Sequence, residues 1–199
     1  MALKNGLLPI ILATSISIIF FTFLFLKRKN YEFIIYIAVI IFFAVVIYFA
    51  HKKINYPNYV LWWLLIWAIM HMSGGGLYIG GKKLYELMIL KIVGEPYNIF
   101  KFDQLVHIIG FFAATLALYY TLKPLLKENL SKWTSLSIIL IMAGLGAGAL
   151  NEIVEFTATV LVPETGVGGY NNTSLDLVSD LIGAVIAMVY IKLKYSKRI

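Results

Sequence analysis

Five carboxylates, Asp103, Glu152, Glu155, Asp176 and Asp180, lie inside or at the lip of strongly apolar segments. No lysine or arginine stands beside them to neutralise them. A carboxylate in hydrocarbon is costly, and where one persists it generally serves function. Asp103 and His107 are spaced i,i+4, as are Asp176 and Asp180 and also Asn151 and Glu155, while Glu152 and Glu155 are i,i+3. Each pair falls within about 60° on a helix, so each can face one interior site. So much acid with so little base implies a bound cation, shared protons or a water-filled pocket. Oxygen-rich sets suit Mg²⁺, Mn²⁺ or Ca²⁺, and an added imidazole widens the choice to Zn²⁺ or Fe²⁺. The candidate metal ligands are therefore Asp103, His107, Glu152, Glu155, Asp176 and Asp180. His107 and Glu155 are the candidates for proton transfer, and His71 and Asn151 are further polar groups of the same layer. Plainer roles compete. Asp103 and Asp176 each stand where a helix is expected to open, and Thr173-x-x-Asp176 fits a capping box. His71 can simply hydrogen-bond a neighbouring helix.

The elements that must position these groups are membrane helices. The chain of 199 residues is 61% hydrophobic and 14% charged, with mean hydropathy +0.86. Several runs approach the roughly 20 apolar residues that span a bilayer. The expected fold is all-α, an integral membrane protein with about six transmembrane helices and one interfacial amphipathic helix. The spans run from Leu7 to Leu26, Tyr31 to Ala50, Tyr59 to about Tyr78, Phe102 to Leu122, Ser135 to Leu161 and Leu175 to Leu193. Ile79 to Lys101, with apolar residues among Lys82, Lys83, Glu86 and Lys91, reads as the interfacial helix, stopped by Gly94 and Pro96. Residues 1–199 read as a single transmembrane domain. Within it, 1–53 form two anchor helices without buried charge, and 59–193 carry the motifs. The first apolar run ends in Lys27-Arg28-Lys29 and reads as a span and not a cleavable signal. Gly144 and Gly148, Gly110 and Ala114, and Gly183 and Ala187 fit the small-xxx-small spacing that lets helices approach closely.

Charge sets orientation and excludes one class of partner. The net charge of +7 flanks the apolar runs, where anionic lipid and the positive-inside rule place it, so no nucleic-acid partner is expected. With no cysteine, thiolate metal sites and disulfides are excluded. Lysine and arginine counts favour both termini on the cytoplasmic side of the plasma membrane, with Lys27–Lys29 an exception. Asp103, His107, Glu152, Glu155, Asp176, Asp180 and His71 then share one layer near the outer surface.

The segments Phe-Asp103-Gln-Leu-Val-His107, Asn151-Glu152-Ile-Val-Glu155-Phe and Asp176-Leu-Val-Ser-Asp180-Leu-Ile-Gly183 resemble those of the VanZ-like membrane proteins. They are closer still to the uncharacterised inner-membrane sister group of that superfamily. His71-Met-Ser-Gly-Gly-Gly-Leu-Tyr78 is similar to an H-x-x-G-G-x-Y segment of the sister group. The resemblance covers about Tyr59 to Leu193. It implies a helical membrane fold and a link to cell-envelope or lipid-carrier biology, without a reaction.

Three functions fit the residues. The first is a site binding a divalent metal and an anionic lipid or lipid-carrier headgroup, with basic flanks Lys82, Lys83 and Lys101 attracting phosphate. The second is a proton- or ion-coupled carrier. The third is a structural or accessory subunit of a membrane complex.

Overall fold

A computed structural model describes residues 6–126, 133–163 and 165–195. Lys4, Lys127, Lys132, Lys197 and Arg198, which enter the orientation count, lie outside the described residues. The described chain forms six α-helices: α1 (Leu7–Arg28), α2 (Tyr31–Ile54), α3 (Asn58–Gly76), α4 (Phe102–Leu122), α5 (Trp133–Leu161) and α6 (Tyr170–Tyr195). All but α3 are long and apolar enough to cross a membrane. Tryptophans, His71 and a glycine run make α3 less apolar, although its 19 residues would still rise about 28 Å. The protein is an all-α polytopic membrane protein. Its outward faces carry Phe20, Phe23, Phe42, Phe49, Phe156 and Val160, all exposed. Lipid solvates such faces at no hydrophobic penalty.

α4 is the central helix. It packs most extensively on α6, and also on α3 and α5, while α1 and α2 lean on α3. Glycines set the closest approaches. A Cβ on Gly183 would stand 2.3 Å from the Ile108 carbonyl oxygen, so the α6 and α4 backbones touch. A Cβ on Gly144 would stand 2.2 Å from Thr115 Oγ1, and one on Gly148 2.1 Å from Asp180 Oδ2. Two clusters fill the remaining interior. Leu61, Leu116, Leu140, Met188 and Ile191 pack at one end of the bundle, and Phe25, Phe33, Tyr36 and Met72 near the other.

Two expectations need correction. Residues 79–101 are not an interfacial helix. Strands β1 (Tyr78–Ile79) and β2 (Lys82–Lys83) form an antiparallel hairpin, and β3 (Met88–Val93) pairs antiparallel with β4 (Ile99–Lys101). A 3₁₀ turn, Leu84–Glu86, joins the two hairpins. Gly80 and Gly81, at φ +58° and +82°, form the two-residue turn that suits a twisted hairpin. The short β-rich run Met88-Ile-Leu-Lys-Ile-Val93 and the Gly80-Gly81 turn are strand and hairpin signals and not a helical stripe. The last helix also begins earlier than expected, at Tyr170. Thr173 and Asp176 both lie inside it, and no Thr173–Asp176 capping box forms.

Because the Gly183 neighbour is backbone and cannot swing away, Gly183→Ala must part α4 from α6. Overpacking of this kind costs about 1–3 kcal/mol. Thermal unfolding in detergent should show a clearly lowered midpoint for Gly183→Ala, and little change for Gly146→Ala, whose Cβ meets nothing within 4 Å.

Candidate functional site

His107 is the hub of the polar layer. It lies one turn into α4 and is 4% exposed. Its Nδ1 stands 2.8 Å from Asp180 Oδ1 on α6. An ionised carboxylate only accepts, so Nδ1–H donates to Asp180 and fixes the ring plane. Nε2 then points at two other acids, 4.0 Å from Asp103 Oδ1 and 3.9 Å from Asp176 Oδ1. Glu152 and Glu155 of α5 form a second group on the same histidine: they and His107 offer ligand atoms within 4.8 Å of one another, as separately do Asp103, His107 and Asp176. Asn151 donates to Glu155 Oε1 at 2.9 Å. The other five sequence-derived ligand candidates therefore surround the His107 imidazole. Asp180 stands apart in kind, because it faces the other ring nitrogen. Its Oδ2 is buried against Gly148 with no hydrogen-bond partner among the described residues.

Neighbours that sequence reasoning missed hold the acids in place. Gln104 bridges: its Oε1 accepts from the Lys101 backbone N–H at 2.7 Å, capping α4, and its Nε2 reaches Asp176 Oδ1 at 3.4 Å. Asn172, one turn before Asp176 on α6, donates to Asp176 Oδ2. The signal for Asn172 was its i,i+4 spacing to Asp176, hidden by placing the helix start too late. The first two spans are also not free of buried charge. Glu32, in the first turn of α2, is 5% exposed and accepts from the Gly166 backbone N–H at 2.6 Å. Its position just after Lys27-Arg28-Lys29 made it look like a solvated flank.

His71, on α3, does more than bridge helices. Tyr85 Oη lies 2.7 Å from His71 Nδ1 and 2.9 Å from the His71 carbonyl oxygen. The carbonyl only accepts, so the phenol donates to it and takes the Nδ1–H. That leaves Nε2 as the unprotonated nitrogen. Burial above all, then Asp103 and Glu155, holds the Tyr85 phenol well above its ordinary value, which keeps it a donor. Gly74 admits the Tyr85 ring, since a Cβ there would stand 2.4 Å from it. The run Gly74-Gly75-Gly76 is thus a close-packed helix end and not a phosphate loop.

The electrostatics are one-sided. Among the described residues, none of the five cluster acids lies within 4.0 Å of a lysine or arginine nitrogen; the ion pair of that kind is Lys83 with Glu32. Two ionised carboxylates 4–5 Å apart repel by roughly 3–4 kcal/mol even at an effective dielectric near 20. A cation or bound protons must offset this.

A family described as predicted membrane protein (DUF2238) matches residues 8–197. The chain belongs to that family. No curated protein and no solved structure matches it. In this DUF2238 protein the match takes in all six helices and every acid of the cluster.

The His107–Asp180 contact yields a direct test. Asp180→Ala leaves a buried Nδ1–H without an acceptor, a loss of about 1–3 kcal/mol. Asp180→Asn keeps an acceptor oxygen and should lose much less. Unfolding midpoints of the two variants in detergent, compared with the parent, check the ordering.

Proposed function

We propose that Asp103, His107, Glu152, Glu155 and Asp176 hold a divalent cation, with Asp180 orienting the imidazole from behind. The observation that carries this is the arrangement of His107: one nitrogen tied to a carboxylate, the other turned toward acids from α4 and α6. Metal-bound histidines are commonly held in this carboxylate–histidine fashion. Spacing and donor chemistry bear on which ion fits. Bonds of about 2.1 Å place neighbouring ligand atoms about 3.0 Å apart in an octahedron and about 3.4 Å in a tetrahedron. Nε2 is 3.9 Å from Asp176 and 4.0 Å from Asp103, wider than either. Mn²⁺, which accepts carboxylates together with an imidazole and is less strict in geometry than Mg²⁺, suits this mixed donor set better than Ca²⁺, whose ligands are oxygens.

The ion would serve a lipid or lipid-carrier headgroup, polarising a phosphoryl oxygen at the membrane surface. The motif resemblance to VanZ-like proteins and the basic flanks Lys82 and Lys101 support this reading. We place the site at the outer face of the plasma membrane, with both termini cytoplasmic and the chain forming one transmembrane domain. A carrier would need polar groups continuing inward from the cluster. Two turns further along α4, Thr115 instead buries its hydroxyl against Gly144. That close packing favours access from one side. A purely structural role leaves the uncompensated acids unexplained.

Elemental analysis of protein purified without chelator should find about one divalent ion per chain. Asp176→Asn and His107→Ala should each weaken Mn²⁺ binding, followed by paramagnetic resonance, by about tenfold or more. Binding should also fail as pH falls, because carboxylates and imidazole ligate only when deprotonated. Full-strength binding by both variants would remove the site.

A further inference from the structure

Beside the cluster lies a second feature, a cavity of about 110 Å³ walled by α2, α3, the 3₁₀ turn, α5 and the 166–168 loop. Its lining includes Glu32, Tyr36, His71, Lys83, Asp103 and Glu155. We propose that this cavity binds a primary ammonium group.

Three observations support this. First, the lining is acidic: with Glu86 it holds four carboxylates against one lysine. The lysine is already turned to Glu32, at 4.0 Å. A phosphate would meet a surplus of like charge. Second, Tyr36 lines the cavity with its ring, while its hydroxyl is sealed beside the Glu32 carboxylate and places no donor in the cavity. Third, the Tyr85 contact leaves His71 Nε2 as a bare acceptor.

The cavity thus offers the imidazole nitrogen of His71 and the carboxylates of Glu32, Asp103 and Glu155. A primary ammonium carries three donors and no acceptor, so it complements these acceptors. Aromatic walls from Phe33, Tyr36 and Tyr85 suit an organic cation further. A metal ion is the poorer occupant. Glu32 and Glu86 belong to neither group whose ligand atoms converge. The volume equals three or four waters at about 30 Å³ each, room for an aminoethyl fragment. The amine could come from a lipid headgroup or from a free small molecule. The inference stands apart from the cation proposed above, although Asp103 and Glu155 border both sites.

The test titrates full-length protein in neutral detergent with ethanolamine, choline and inorganic phosphate, read by calorimetry. Ethanolamine should bind saturably, choline at least about tenfold more weakly for want of N–H donors, and phosphate not at all. His71→Phe removes the acceptor nitrogen and should weaken ethanolamine about tenfold. Glu32→Gln should also weaken it. Asp176→Asn, which does not line the cavity, should keep ethanolamine binding even where it loses Mn²⁺, so the two proposals fail separately. In nanodiscs, ethanolamine excluded by phosphatidylethanolamine but not by phosphatidylcholine identifies a lipid headgroup as the source. Equal binding in both identifies a free amine. Choline binding as well as ethanolamine, phosphate binding, or a His71→Phe variant of parental affinity would overturn the proposal.

Discussion

The burial of five carboxylates around one imidazole is the constraint to which much of the bundle answers. Acids cannot be left in hydrocarbon unless each has a donor, a cation or a proton. Here that need recruits groups from three helices. Asp180 takes the Nδ1–H of His107, Asp176 takes donors from Gln104 and Asn172, and Glu155 takes one from Asn151. The helices must come close enough for such short side chains to meet. Gly148 gives Asp180 its space, and Gly183 lets α6 lie against the backbone of α4. Polar need and small-residue packing are two sides of one arrangement.

Much of this was legible in the sequence, because charge in an apolar run is loud. The helix-turn spacings of Asp103/His107, Glu152/Glu155 and Asp176/Asp180 named the faces, and hydropathy named the helices that carry them. The unread parts had physical reasons. Hydropathy ends a span where the lipid ends and not where the hydrogen-bonded helix ends, so the first turns of α6 and the role of Asn172 were lost. Glu32 sits at a charged flank, and only tertiary packing distinguishes a buried flank from a solvated one. The 78–101 hairpins share an amphipathic composition with an interfacial helix, and the Gly80-Gly81 turn is the local feature that separates the two.

The basic run at the end of α1, an exception to simple charge counting, also has a local use. Arg28 donates to the carbonyl of Gly76, the last residue of α3, and its guanidinium lies 5.3 Å over the Tyr78 ring. The C-terminal end of α3 carries orphan carbonyls and partial negative charge, which a cation satisfies. Lys83 likewise faces Glu32. Arg28 and Lys83 are thus engaged within the protein.

The link between α1 and α2 is only Lys29 and Asn30, and the Phe33 ring that follows occupies the space where Gly75 would otherwise carry a Cβ. A helix advances about 100° per residue. One inserted residue at this link would swing Glu32, Phe33 and Tyr36 together away from the cavity and drive the ring off its glycine seat. The hairpin tip at Gly80-Gly81 has no such neighbour. Length variation should therefore be borne at one corner of this surface and refused at the other, a matter of rotational phase more than of chemistry.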